Sequence, residues 1–484
     1  MSETSSSVKH PQWIAWPLRW LPRGGLQLSE RRALLIAGDA VAAAAATALA
    51  LGLWALTSGA TLSAAFLREH WYWFGVLVSA WLVLNLNLYD LRNAASKSTT
   101  MRSLLVTASL ALGLYLVVFF LAPRGLLPRL FILYFVTGAL CGCLVWRLVY
   151  MTVFFSPYFQ RRVLVVGAGW AGETIVRALT KYQPRQYAVV GLIDDDHSKH
   201  GQTVSGMPVM GGYDRLLPAV KANRVSEVVL AINGEIQGAT FQALLDCQAQ
   251  GIPVTRMSSV YEQITGRVPL EHLNADWVIT SFMDKAHQGR WTQLAQRGLD
   301  IAGALLGLLG LGLLYPAVSA AVWLESRGPI LYRQTRLSQG GRPFEMLKFR
   351  TMVPDAEADG QARWASPDDE RVTRVGRFLR RARLDEAPHF WNVVKGEMSL
   401  EGPRPERPEF IAALEKHIPF YRARLMVKPG LTGWAQVNFG YGDSIEDMFV
   451  KLQYDLYYIK HHSLWLDLLI LARTVGVVLR FQGR

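Results

Sequence analysis

Apolar residues along this chain follow two different spacings. Long, nearly uninterrupted runs occupy about 33–57, 70–89, 101–121 and 130–150. Each is close to the ~20 residues that a helix needs to cross a bilayer core. Between 161 and 285 the runs shrink to strand length: RRVLVV, YAVVGLI, SEVVLAIN and GIPVTRMS. Helical patterns lie between them, among them DRLLPAVKAN and FQALLDCQAQ. Alternating strands and helices predict a parallel sheet covered on both faces. Beyond 286 the apolar stretch 301–324 is again of membrane length but contains Pro316, and LWLDLLILARTVGVVLRF (464–481) carries Asp467 and Arg473. That last segment suits a helix lying in the interface better than one that spans.

These patterns divide the chain into a cytoplasmic segment (1–30), a four-helix transmembrane bundle (31–155), a Rossmann-like α/β domain (156–285) and a mostly α, membrane-associated unit (286–484). Basic residues sort by loop. Arg31 and Arg32 precede the first run, Arg92, Lys97 and Arg102 separate the second from the third, and Arg161 and Arg162 follow the fourth. The positive-inside rule then puts both ends of the bundle in the cytoplasm. Trp71, Tyr72 and Trp73 mark a membrane interface. Asp39, inside the first run, reads as a carboxylate that pairs helices or snorkels. Residues 1–12 are polar, lack the apolar core of a signal peptide and are expected to be disordered. Pro316 removes a backbone hydrogen bond and bends its helix. A kinked helix could still cross; a sharply bent one would return to the side it entered. Arg327, Arg333 and Arg336 just beyond it favour the return, because arginines seldom translocate.

Composition narrows the chemistry. The chain has 484 residues, is 51% hydrophobic and carries a formal charge of +13. That balance suits anionic lipid and acidic substrates; no zinc-finger spacing or RNA-binding signature points to nucleic acid. Three cysteines make neither a disulfide framework nor a metal quartet. Gly167, Gly169 and Gly172 form G-x-G-x-x-G between a predicted strand and helix, with Asp194 ending the next strand where dinucleotide sites hold a ribose hydroxyl. The same glycines would also serve a tight turn and close packing with no ligand, the weightier reading here. No Tyr-x-x-x-Lys accompanies them, which counts against a nicotinamide-dependent sugar dehydratase or epimerase.

The densest chemistry lies at RVTRVGRFLRRARLDEAPHFWNVVKGEMSLEGPRP (371–405). Arginines lead into the carboxylate pair Asp385–Glu386. Cations beside paired carboxylates suit phosphoryl transfer: the cations hold a polyanion, and a carboxylate acts as nucleophile, base or metal ligand. The pattern predicts a helix from about Glu386 to Lys395, capped by Asp385 and ending at Gly396. Lys348 and Arg350 would share one face of an extended segment with Phe349 opposite. Arg404 is fixed between Pro403 and Pro405. Asp369 is a third acidic candidate with a structural reading, and His389 is read as a packing residue before a base.

These segments, with YRQTRLSQGGRPFEMLKFRTM (332–352), VKPGLTGWAQVN (427–438) and LQYDLYYIKHHSLWLDLLIL (452–471), resemble the bacterial polyprenyl-phosphate sugar-1-phosphate transferases. The first 285 residues resemble the larger members of that family. The resemblance implies that a UDP-sugar, with glucose favoured on no residue-level ground, gives its sugar 1-phosphate to undecaprenyl phosphate and releases UMP. It implies Asp385 as nucleophile and Glu386 as its partner in placing Mg2+ or the incoming phosphate. Arg404 would bind phosphate, helped by Lys348, Arg350, Arg380 and Arg381. A re-entrant helix over 298–326 broken at Pro316, the bacterial inner membrane with the catalytic parts on its cytoplasmic side, and compatibility with a homodimer follow from the same likeness. A non-catalytic scaffold is the other alternative. Three positions depart from the family pattern: Tyr315 replaces a serine at the break, Gln296 precedes Arg297 in place of lysine, and Glu401 replaces an apolar residue before the Gly-Pro-Arg turn.

Overall fold

The computed structural model describes residues 28–58, 63, 65, 68, 70–121, 130–156, 159–236, 238–272, 290–354, 356, 369–440, 442 and 444–479. The segment expected to be disordered (1–12), most of the expected cytoplasmic segment and the expected boundary at 285 lie outside the described residues. The chain divides into two compact units, one up to Val260 and one from Tyr261.

In the first unit the apolar runs become α1 (Leu28–Ser58), α2 (Tyr72–Leu84), α3 (Lys97–Leu121) and α4 (Phe131–Phe154). Three of them are long and apolar enough to cross a membrane. The second run falls short of the expected span. Helix α2 has 13 residues, about 20 Å at 1.5 Å per residue, and gives way to a 3-10 turn over Leu86–Tyr89. Small residues let α1 and α4 approach closely. A side chain at Gly138 would press on Ala46, and one at Gly142 would touch Ala42. Asp39 is fully buried and paired with Arg147 of α4, so it is the helix-pairing carboxylate anticipated above. Arg147 also donates to the Leu88 carbonyl at 3.3 Å.

The middle of this unit holds strands β1 (Arg161–Val166) and β2 (Tyr187–Ile193), with α5 (Trp170–Tyr182) between them. Helix α6 (Leu216–Ala222) leads to β3 (Glu227–Leu230), and α7 (Gly238–Ala249) leads to β4 (Val254–Arg256). The sheet is parallel with order β2-β1-β3-β4. All four strands fall where the short apolar runs predicted them.

In the second unit the apolar stretch at 301–324 lies within one continuous helix, α8 (Arg290–Glu325), that carries Pro316 in its interior. An antiparallel ribbon follows, β5 (Leu331–Leu337) and β6 (Pro343–Phe349), with Tyr332 opposite Lys348. Then come α9 (Arg374–Arg381), a 3-10 turn (Leu384–Glu386) and α10 (His389–Lys395). The short strands β7 (Ser399–Glu401) and β8 (Gly430–Thr432) pair in parallel. Helices α11 (Ile445–His461) and α12 (Leu464–Leu479) complete the unit. Asp467 and Arg473 of α12 are both turned to internal partners. Asp467 accepts from the Tyr458 hydroxyl at 3.0 Å, and Arg473 binds the Asn438 side chain and stacks over Trp434. The Trp434 indole donates to the Gly266 carbonyl and Glu262 pairs with Lys460, so 261–272 belong with the C-terminal unit.

Candidate active site

Helix α9 is placed by its own start. The Thr373 hydroxyl caps the Gly376 amide at 2.9 Å, and the Glu325 carboxylate at the end of α8 accepts from the Arg374 and Val375 amides at 2.7 and 2.8 Å. Gly376 lies so close to the Thr351 carbonyl that no side chain would fit. At the other end Arg383 adopts a left-handed conformation (φ 53°). This reverses the backbone into the 3-10 turn that carries Asp385 and Glu386. The expected helix start is therefore corrected. Helix α10 begins at His389, and Asp385 lies in the preceding turn without capping it. The left-handed Arg383 and the tight turn take up the residues that the sequence pattern assigned to a first helical turn. The left-handed stop at Gly396 is as expected.

Asn392 of α10 locks this segment to β6. Its amide nitrogen donates to the Glu345 carbonyl at 2.8 Å and its oxygen accepts from the Leu347 amide at 3.2 Å. The ribbon thus presents Lys348 to the carboxylates. Lys348 lies over the Tyr332 ring and donates to Gln334 Oε1 at 3.3 Å. The same oxygen accepts from Arg336 Nε and Nη2 at 3.2 and 2.7 Å. One neutral acceptor therefore holds two cations; Arg336 is also paired with the Glu406 carboxylate at 3.6 Å. From below, the Gly-Pro-Arg-Pro turn is pinned to β8: Gly402 donates to the Thr432 carbonyl and Gly430 to the Pro403 carbonyl, both at 2.9 Å. Arg404 then reaches Glu386, Nη2 to Oε1 at 2.6 Å.

The electrostatics separate the two acids. Burial and the adjacent Glu386 push the Asp385 carboxyl up to about 6, against the pull of Arg380, Lys348 and Arg404. Burial also opposes ionisation of Glu386, but the Arg404 ion pair outweighs it and holds that carboxyl well below its usual range. Burial drives His389 down to about 4, so the ring is neutral at physiological pH and Arg404 is the cation that counts for Glu386. Lys348 is pushed down to about 8 by burial and by Arg336, with Asp385 pulling the other way.

Of the residues chosen from sequence, Asp385, Glu386, Arg404, Lys348 and Arg380 come together. Arg350 and Arg381 do not. Strand β6 ends at Phe349, so alternation stops there, and the Arg350 guanidinium turns to the Ser326 hydroxyl (3.0 Å) and carbonyl at the end of α8. Arg381 is exposed on the outer side of α9. Asp369 is bound by Arg371 through two contacts of 2.8 and 2.5 Å, as its structural reading required. Gln334 and Arg336 were missed as site residues. Their signal was the two-residue alternation of Tyr332, Gln334 and Arg336, which becomes informative only with the cross-strand register to Lys348. Among the described residues no three or more His, Cys, Asp or Glu side chains form a cation-binding group. The donor set suits Mg2+ only in the manner in which one or two carboxylates are completed by substrate phosphates and water.

The glycine loop of the middle domain is differently built. A side chain at Gly167 (φ 109°) would strike the Ala231 carbonyl, and one at Gly172 would strike the Gly167 carbonyl; Gly169 faces open space. Asp194 is not presented to a ligand as the motif suggested. Its Oδ2 accepts from the Ala168 amide at 2.6 Å and from Lys199 at 3.2 Å, and its Oδ1 from the Asp196 amide at 2.9 Å.

Residues 291–481 match the family described as bacterial sugar transferase, and residues 85–254 match one described as a CoA-binding domain. The chain is 34% identical over 369 residues to a UDP-N-acetylgalactosamine-undecaprenyl-phosphate N-acetylgalactosaminephosphotransferase of Aeromonas hydrophila, covering 75% of this chain and 83% of that one. It is 34% identical to the UDP-glucose:undecaprenyl-phosphate glucose-1-phosphate transferase of Escherichia coli, over 66% of this chain and 68% of that one. It is 32% identical to an undecaprenyl-phosphate glucose phosphotransferase of Komagataeibacter xylinus, over 65% of this chain and 58% of that one.

Proposed function

The chain belongs to the bacterial sugar transferase family, and from that premise we propose that it transfers a hexose 1-phosphate from a UDP-sugar to undecaprenyl phosphate, releasing UMP, with Asp385 as nucleophile. A carboxylate oxygen of Asp385 attacks the sugar-bearing phosphorus. The bond from that phosphorus to the bridging oxygen breaks, and UMP leaves with the oxygen. A phosphate oxygen of the lipid then attacks the same phosphorus and expels Asp385, giving undecaprenyl-diphosphate-sugar. Two displacements replace one direct transfer between bulky anions.

The observation that carries this reading is the split between the two acids. Asp385 is raised toward 6, so it is ionised at neutral pH yet more basic than an ordinary aspartate, while Glu386 is tied to Arg404. Lys348, Arg336 and Arg380 provide a cationic rim for the diphosphate and Arg404 a fourth cation, with Gln334 orienting two of them. Mg2+ held by Asp385 or Glu386 together with diphosphate oxygens would offset charge on the leaving phosphate. Relatives act on both UDP-glucose and UDP-N-acetylgalactosamine, so UDP-glucose heads the donor panel and UDP-N-acetylgalactosamine stands beside it. The middle domain acts as support in this scheme; the engaged Asp194 weighs against nicotinamide chemistry there.

The reading places the unit on the cytoplasmic face of the inner membrane, with α8 entering one leaflet and returning. A straight helix of 36 residues would be about 54 Å long and would cross. Yet both ends of α8 grip the same folded unit. Arg297 donates to the Val393 and Val394 carbonyls at 2.8 Å near one end, and Glu325 accepts from the start of α9 near the other. Ends in opposite aqueous phases would tear that unit apart, and Pro316 supplies the place to bend. Membranes supplied with undecaprenyl phosphate and UDP-sugars should release UMP, and release of UDP would overturn the reaction class. Labelling of single cysteines beyond residue 330 from the periplasm would overturn the topology.

A further inference from the structure

Helix α9 carries one feature that the reaction does not use. Arg374, Arg377, Phe378 and Arg381 stand at i, i+3, i+4 and i+7, the spacing of a single helical face, and all four are exposed. Phe378 is 58% exposed. The three arginine side chains make no ion pair or hydrogen bond with any described residue, whereas Arg380, one position from the stripe, bonds to Thr351. The opposite face is the packed one, with Leu379 buried against Val322 and Phe349. A basic stripe around an exposed aromatic ring is an unfavourable surface in water and a favourable one at a charged interface.

Its position says which interface. The Glu325 carboxylate binds the first two amides of α9, and Glu325 directly follows Trp323 and Leu324, which are 49% and 74% exposed. Those side chains need lipid, so the start of α9 is tethered at the level where the apolar helix leaves the hydrocarbon. We propose that the Arg374–Arg377–Phe378–Arg381 face of α9 docks on anionic phospholipid headgroups of the leaflet that α8 enters, with the arginines on phosphates and Phe378 among the upper acyl carbons. Each cation near such a surface is drawn to it by the negative potential of the anionic headgroups. The contact holds α9 down, and with it the reversed Arg383 and the Asp385 turn, at the depth where a lipid phosphate arrives.

The proposal rests on α8 entering the bilayer, and its test separates the two. The full chain is placed in nanodiscs of phosphatidylcholine, with or without phosphatidylglycerol. Amide exchange is followed over 373–382 and over 303–314, with UMP release measured alongside. Residues 303–314 should be protected in both discs, reporting on α8 alone. Phosphatidylglycerol should slow exchange over 373–382 several-fold. Arg374→Gln/Arg377→Gln should abolish that dependence while leaving UMP release in neutral discs unchanged, and Phe378→Ser, an independent variant, should weaken it in part. Wild-type exchange over 373–382 indifferent to phosphatidylglycerol would overturn the proposal. So would loss of UMP release by the double variant in neutral discs, which would assign the arginines to substrate instead. A wild type that protects α9 on anionic lipid but releases no UMP would refute the reaction and leave the docking face standing.

Discussion

Two carboxylates in this chain stand near motifs that promise chemistry, and the fold meets the hydrogen bonds of only one of them. Asp194 beside the glycine loop accepts two backbone amides and a lysine from its own domain. Asp385 is half-buried, surrounded by cations, and forms no hydrogen bond with them among the described residues. Its neighbour Glu386 takes the direct ion pair. A carboxylate whose hydrogen bonds are met by the fold stabilises the fold; one that is surrounded but unmet is poised for a substrate.

The sharpest test of that contrast is a matched pair of isosteres. Asp385→Asn should lower UMP release by about 10³-fold or more, as loss of a nucleophile does. Asp194→Asn should leave turnover nearly unchanged and lower the stability of its domain by about 1–2 kcal/mol, read from thermal unfolding. If Asp194→Asn proved the more damaging to turnover, the comparison would be wrong. Next in size, Arg404→Ala strands Glu386 as an unpaired buried charge. The expected loss is on the order of 100-fold, mainly in kcat, with Arg404→Lys recovering part of it.

The pH profile follows from the raised Asp385 carboxyl and the lowered Lys348 amine. Asp385 must be ionised to attack, so kcat/KM should fall roughly tenfold per unit below about 6, well above the limb near 4 of an ordinary aspartate. Lys348 must be charged to hold phosphate, so a second fall should begin above about 8. The smallest effect is expected at Gln334. Gln334→Ala should raise KM for the UDP-sugar several-fold with kcat little changed, because two cations lose their common anchor but keep their charge. Gln334→Glu should be worse than Gln334→Ala, since it offers Lys348 an internal anion and adds a second one beside Arg336, which already faces Glu406.

How much of this could be read in the sequence depended on the range of the information. The strands of the middle domain and the long apolar helices were legible because their periods are local. Gly402-Pro403-Arg404-Pro405 was legible because prolines limit the backbone wherever they occur. The start of α10 was not, since it turned on Arg383 adopting a conformation that few non-glycine residues take. Arg350 was misplaced because alternation holds only while a strand lasts, and β6 ends one residue earlier. Gln334 and Arg336 needed the pairing of β5 with β6, which no local pattern contains.

Glu401 departs from its family's apolar pattern, and it has a consequence for how the molecule ages in alkali. Its side chain is buried with both oxygens unbonded among the described residues, and burial, reinforced by Asp467 and Asp300, pushes it up to about 9. Between the ordinary glutamate range and that value the unfolded chain gives up this proton while the native chain keeps it. Fewer protons on the unfolded side mean that stability drains away as pH rises, by about 1.4 kcal/mol per unit for a fully shifted group. Below that window the residue is neutral in both states and costs nothing. Mild base should therefore soften the strand under Arg404, and Glu401→Gln, which is neutral in both states and cannot ionise, should outlast the parent chain by a margin that widens toward pH 9. One misplaced acid would make the upper limit of this transferase a question of melting as much as of chemistry.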